Sequence, residues 1–190
     1  MYATKLMMNQ GKNYDYVEDD SLLFKRENEL WEYIATSGTT KITTIKDLDK
    51  GIKGVTYCGT LPPDSGELLT IFSYRVYVYR YADGRIRVSN ALDGTSVIPT
   101  FVSTGFEQPY IALTLFFPTE TTQTISLFVE GQEKRTATGS WNGTLTQVQM
   151  SMAGTDYVKT TPMDLALIYD RVLTDEELEQ NYKAFLQRHR

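Results

Sequence analysis

One cysteine and one histidine in 190 residues remove several kinds of chemistry at the outset. Cys58 alone forms no internal disulfide and no multi-cysteine metal site. Its setting in Gly54-Val55-Thr56-Tyr57-Cys58 reads as a small core side chain on a strand, with a reactive thiol as the alternative. His189, next to the last residue, is expected to be exposed and has no sequence context for a catalytic triad or a metal pair. Long apolar runs are missing too. Nowhere do about 18 apolar residues follow one another, so no membrane-spanning helix is expected. Met1 to Met8 lacks both the apolar region and the cleavage site of a secretory signal. The chain is therefore expected to be made and kept in a cytoplasm until something such as lysis releases it, and the sequon Asn142-Gly143-Thr144 carries little weight without a secretory route. Basic runs are absent, and a net charge of −5 argues against nucleic-acid and anionic-membrane partners. There is no HExxH, no phosphate-binding glycine loop and no EF-hand loop.

What is present favours strands. The chain is rich in Thr, Tyr, Val and Gly, and its apolar runs are short and bounded by turn residues, which suits an all-β sandwich rather than a helical or α/β architecture. At this length one domain over residues 1–190 buries roughly 70% of its unfolded surface and needs no staple. No internal repeat, linker or low-complexity tract divides it.

The last thirty residues organise the chain. In Met163 to Asp170, Leu165, Leu167 and Tyr169 recur at period two, as a strand with one face on a core requires. Thr174-Asp175-Glu176-Glu177 is a capping box: the Thr174 hydroxyl can accept from the Glu177 N–H while the Glu177 carboxylate reaches back to the Thr174 N–H. Leu173 and Leu178 stand at the positions of a hydrophobic staple. Asp175 to Glu177 and then Lys183, Arg188 and Arg190 match the helix dipole, and Leu178, Tyr182, Phe185 and Leu186 supply the apolar stripe.

The run from Asp164 to Phe185, DLALIYDRVLTDEELEQNYKAF, resembles the closing segment of laminin-G-like, concanavalin A-like jelly-roll domains. Tyr169, Arg171, Leu173, Thr174, Glu177, Asn181 and Tyr182 carry the match, and the tail from Asn181 through Arg188 is similar to that of laminin-G-like domains in bacteriophage structural proteins. Phe128-Val129-Glu130-Gly131-Gln132 resembles a hairpin of the same family, with Glu130 where Asp or Asn is common. The resemblance implies an antiparallel β-sandwich of jelly-roll type ending in a short C-terminal helix. It also implies a virion component, in capsid or tail, with other virion proteins as partners and multicopy or homo-oligomeric placement. For activity it implies little, because this fold carries lectins, glycosidases, adhesins and plain structural parts.

Along the chain, Tyr14-Asp15-Tyr16 reads as a docking arm or an edge strand, with residues 1–20 otherwise poor in hydrophobic periodicity. Leu22 to Ile34 suits a helical face or a hairpin, and the resemblance favours strands. Further strands are expected at Lys41 to Ile45, Val55 to Leu61, Leu68 to Ser73, Tyr74 to Tyr81, Arg85 to Asn90, Tyr110 to Phe117, Ile125 to Val129 and Leu145 to Met152.

The hairpin at Ala82-Asp83-Gly84 allows a register argument. A two-residue Asp-Gly turn pairs Tyr79 with Val88 and mixes polar with apolar residues on both faces. A three-residue loop with Gly84 left-handed pairs Tyr81 with Arg85, Tyr79 with Arg87, Tyr77 with Ser89 and Val78 with Val88. This second register sorts the faces cleanly, and a one-residue slip would exchange them wholesale. It predicts an inner face of Tyr74, Val76, Val78, Ile86 and Val88 and an outer face of Arg75, Tyr77, Tyr79, Tyr81, Arg85 and Arg87. That outer face is the candidate binding surface. Tyrosine offers a flat apolar body with a polar tip, and arginine adds fork hydrogen bonds and cation–π contacts. It suits a protein contact, stacking on glycan rings, or simply a solvated sheet face held by cross-strand pairs.

Catalysis is not expected. Retaining glycosidases of concanavalin A-like fold set paired carboxylates on one strand face about 5 Å apart, and no strand here carries an E-x-D-x-x-E run. Asp175 to Glu179 cluster at a helix start, where capping accounts for them. No cofactor is expected. Calcium is the one ion the resemblance leaves open, through loop carboxylates such as Asp83, Asp93 and Asp156, and hairpin-turn duty is the plainer reading of the first two.

Overall fold

The computed structural model describes residues 13–27, 41–45, 51–60, 66–71, 76–80, 86–90, 96–101, 109–119, 121–140, 148–151 and 163–189, some of them as backbone only. These form twelve strands and one helix. In chain order the strands are β1 Leu22–Glu27, β2 Lys41–Ile45, β3 Gly54–Thr60, β4 Gly66–Ile71, β5 Val76–Arg80 and β6 Ile86–Asn90. They continue with β7 Ser96–Phe101, β8 Tyr110–Phe116, β9 Thr122–Val129, β10 Arg135–Ser140, β11 Val148–Ser151 and β12 Met163–Tyr169, and α1 Asp175–His189 closes the chain. Two six-stranded antiparallel sheets result, ordered β1-β12-β3-β8-β9-β10 and β2-β11-β4-β5-β6-β7. The fold is the antiparallel jelly-roll sandwich with a C-terminal helix that the sequence led us to expect.

β12 corrects one expectation. It was to bury one face, and it buries both: Leu165, Ala166, Leu167, Ile168 and Tyr169 are all 0% exposed. The reason is a third layer. Leu165, Leu167 and Tyr169 pack with Cys58, Ala112, Phe128, Leu178, Ala184 and Phe185 under α1, which lies on the outer face of the first sheet. Register carries that apolar row across the sheet, Leu165 facing Cys58, Cys58 facing Ala112, and Ala112 facing Phe128. The alternate residues Val55, Tyr57, Ile111, Leu113, Leu115, Ile125, Leu127, Val129, Ala166 and Ile168 form the inner face and are at most 1% exposed. A strand buried twice shows a continuous apolar run, which Leu165 to Tyr169 is.

Cys58 is fully buried in this cluster, and burial pushes its thiol far above the ordinary range, as the core reading requires. Gly54 has a steric reason: a Cβ there would lie 2.7 Å from the Phe116 ring, which faces it across the β3–β8 pair. The β9–β10 hairpin turns at Gly131, whose φ of 78° is the left-handed conformation glycine tolerates best. The buried Glu130 carboxylate accepts the Tyr110 N–H at 3.2 Å beside that turn.

Two strands escaped the sequence reading. β7 contains Pro99, which argues against a central strand, and it lies at a sheet edge, where proline is tolerated. β10, RTATGS, has no apolar alternation, because the outer positions Thr136, Thr138 and Ser140 are exposed and the inner ones include Gly139. Residues 28–34, the second half of the expected first hairpin, lie outside the described residues, as do the sequon, Asp83, Asp93 and Asp156.

Candidate functional site

The closing motif comes first, because it is the most specific pattern in the sequence. Its capping box forms as expected: Thr174 N–H donates to Glu177 Oε2 at 2.8 Å, and Glu177 N–H donates to Thr174 Oγ1 at 3.3 Å. Arg171 then spends its fork on two elements at once. It donates to both Glu177 carboxylate oxygens at 2.7 Å, to Asp19 Oδ2 at 2.6 Å and, through Nε, to Ser21 Oγ at 3.0 Å. Bonds from Ser21 and then Arg171 hold the Asp19 carboxyl down at about 2, and Glu177 is lowered chiefly by Arg171.

Asn181 is the residue that hydrophobic patterning misses. It is 1% exposed in the apolar stripe of α1, donates to the Tyr169 hydroxyl at 3.0 Å and accepts the Val17 N–H at 2.8 Å. Tyr169 Oη donates in turn to the Val17 carbonyl at 3.0 Å, so both backbone polar groups of Val17 are satisfied by two motif side chains.

Of the two readings of Tyr14-Asp15-Tyr16, the docking arm is the one that fits: the segment is no ladder strand, and it docks on this chain's own helix. It is a strap lying antiparallel to α1: Tyr14 N–H donates to Gln187, Gln180 donates to the Asp15 carbonyl, and Arg188 reaches the Tyr14 carbonyl and the Asp15 carboxylate. Lys183 and Arg188 also sit over the Tyr14 and Tyr16 rings at 5.4 and 4.3 Å. His189 corrects a further expectation. It is half-buried, its ring is 4.4 Å from that of Phe185, and its backbone carbonyl accepts the Tyr110 hydroxyl. Burial raises the nearby Asp164 carboxyl, and His189 opposes that rise.

Every motif residue on this side is therefore engaged in holding the helix and the strap to the first sheet. The candidate binding surface lies on the second. There the β5–β6 register is the one argued from face sorting, with Tyr77 opposite Ser89, Val78 opposite Val88 and Tyr79 opposite Arg87. β4 extends both polar rows, Glu67 facing Tyr79 and Thr70 facing Tyr77. Thr70 also faces Ser151, and Ser89 faces Ser96, so one polar row crosses from β11 to β7. The alternate row Leu69, Val78, Val88 and Ile98 is apolar throughout. The backbone thus brings Tyr77, Tyr79 and Arg87 to one face, and Glu67 and Thr70 join them, which the sequence alone did not reveal. Arg75, Tyr81 and Arg85 fall outside the described residues.

The described residues contain no group of three or more His, Cys, Asp and Glu side chains placed to hold a metal ion. No helix among them is long and apolar enough to cross a membrane.

No protein-family model matches the chain, and no curated protein matches it significantly. Among solved structures it is similar to an alginate lyase of polysaccharide lyase family 7, 12% identical over 84% of this chain and 81% of that one, with a TM-score of 0.34. It is also similar to peanut lectin in complex with a nine-residue peptide, 12% identical over 82% of this chain and 80% of that one, with a TM-score of 0.29.

Proposed function

We propose that this protein is a non-catalytic recognition and assembly module whose working surface is the face of the second sheet that carries Tyr77, Tyr79 and Arg87. The observation that carries this reading is register: Glu67, Tyr79 and Arg87 stand in one row and Thr70, Tyr77 and Ser89 in the next, with the apolar Leu69, Val78 and Val88 at the alternate positions. Tyrosine and arginine are the residue types enriched where protein surfaces meet. The described carboxylates with displaced protonation each have a structural setting, Asp19 and Glu177 on Arg171 and Asp164 half-buried on β12.

The partner we infer is another protein of a multicopy assembly, a phage particle being the context suggested by the resemblance of the closing segment. Many copies would let a weak contact suffice through avidity. Mass spectrometry of purified particles tests this. The chain is expected among their proteins, with Tyr79→Ala and Arg87→Ala lowering its incorporation; particles that lack it overturn the reading.

Glycan binding is the second reading. Positions two apart on a strand lie about 7 Å apart, so Tyr77 and Tyr79 could offer stacking platforms to neighbouring sugar rings. A glycan array that stays blank at high protein concentration removes it.

A further inference from the structure

The rows that cross the second sheet have an internal order. In the strand sequence β2-β11-β4-β5-β6-β7, β5 is the middle of the last five. One row reads Glu67 on β4, Tyr79 on β5 and Arg87 on β6. The next reads Ser151 on β11, Thr70 on β4, Tyr77 on β5, Ser89 on β6 and Ser96 on β7. Counted outward from β5, the second row is alike on its two sides, with a hydroxyl residue at every step. The first row is opposite on its two sides, with a carboxylate residue on one and a guanidinium residue on the other.

Rows with these two properties are complementary to themselves. We propose that the partner of this face is a second copy of the chain, laid sheet to sheet about a twofold axis that runs along β5. The inference rests on the reading above that this face is the working surface, and it narrows the partner to the molecule itself. Rotation about that axis brings β4 of one copy over β6 of the other, and β11 over β7. Glu67 then comes opposite Arg87 twice over, Thr70 opposite Ser89 and Ser151 opposite Ser96, while Tyr77 and Tyr79 each meet their own counterpart on the axis. No like charges meet along either row. β2, where Lys41 pairs with Ser151, falls beyond β7 and outside the overlap. Twofold contacts require self-complementarity of this kind, and aligned packing is an ordinary way for two sheets to meet. Opposite charge fixes the register, and tyrosine supplies the contact area. Two rows across five strands span roughly 20 Å by 7 Å, so the contact is small and belongs to the weak class.

Analytical ultracentrifugation of the full chain over a concentration series tests this, with Glu67→Arg, Arg87→Glu and the double variant, each checked by circular dichroism. The wild type is expected to dimerise at high concentration. Each single variant sets like charges against each other twice and is expected to weaken dimerisation about tenfold or more. The double variant, and an equimolar mixture of the two single variants, are expected to restore it. A second readout is independent of these charges. The chain has one cysteine, Cys58, and it is fully buried, so a short bismaleimide is expected to link two copies of Tyr77→Cys and to leave Thr138→Cys, exposed on the first sheet, unlinked. A wild type that stays monomeric at the highest concentration overturns the inference. So does charge dependence that the double variant fails to reverse, or linking that is equal at positions 77 and 138. The wider reading fails separately: a monomeric chain whose particle incorporation still falls with Tyr79→Ala and Arg87→Ala keeps the face and loses only the second copy, and a chain unchanged in both respects loses both.

Discussion

The two sheets of this sandwich stand in contrast. The first carries the most recognisable stretch of the chain, and there Tyr169, Arg171, Thr174, Glu177 and Asn181 are spent on internal bonds that tie α1 and the strap to the sheet. The second carries no motif, yet its register sorts Glu67, Thr70, Tyr77, Tyr79, Ser89 and Arg87 onto one face and valine and leucine onto the other. The difference teaches that recognisability here follows architecture. The long motif marks what holds the helix and strap in place, and the face we propose for recognition is made of ordinary strand residues whose grouping comes only from pairing.

If that contrast holds, substitutions in the first sheet should damage stability, and substitutions on the second should damage recognition alone. The largest effect is expected from Phe185→Ala, which empties a site fully buried among Tyr110, Ala184 and β12; urea unfolding should show a loss of roughly 3–5 kcal/mol. Asn181→Leu keeps the bulk but strands the Val17 N–H and takes the amide donor from the Tyr169 hydroxyl, at about 2–3 kcal/mol by the same measurement. Arg171→Met should lower Tm by a few degrees at neutral pH, discounted because the pairs are partly exposed.

That third effect has a pH signature. Asp19 and Glu177 have folded-state carboxyls held below their unfolded values, so their contribution is present above about pH 4 and is lost as pH falls through the folded value, about 2 for Asp19. The gap in Tm between wild type and Arg171→Met should therefore close between about pH 4 and pH 2. A gap that stays constant in acid would mean that Arg171 acts by packing instead of charge. The smallest stability effects belong to Tyr79→Ala and Arg87→Ala, a few tenths of a kcal/mol each. A large drop in Tm from either would make the Tyr79/Arg87 face of the second sheet structural and erase the contrast.

The helix start, the core role of Cys58 and the β5–β6 register were legible in advance for one reason: each rests on a local rule with few solutions. A capping box is four residues long, and a slipped hairpin exchanges faces at once. The misses share the opposite property. β10 shows no apolar alternation because its half-buried positions are Arg135, Ala137 and Gly139, so no periodicity marks it. β12 was read as buried once because nothing in Leu165 to Tyr169 says that a helix will cover the second face. Asn181 passes for a polar interruption of an apolar stripe until the strap supplies the Val17 backbone it serves. Glu67 joins Tyr79 and Arg87 only through pairing with β4, and the slip between Glu67 and Leu69 is invisible in sequence.

The strap has a consequence for how the molecule is made. Tyr14 and Gln187, which it joins, are 173 residues apart in the chain, and Val17 and Asn181 are 164 apart. During vectorial synthesis the first of these groups leaves the ribosome long before its partner is translated, so docking of the strap must be among the last folding events. Until then Tyr16, Val17 and the outer side of β12 have no cover, and a nascent chain stalled before α1 offers greasy surface to chaperones and to its neighbours on the polysome.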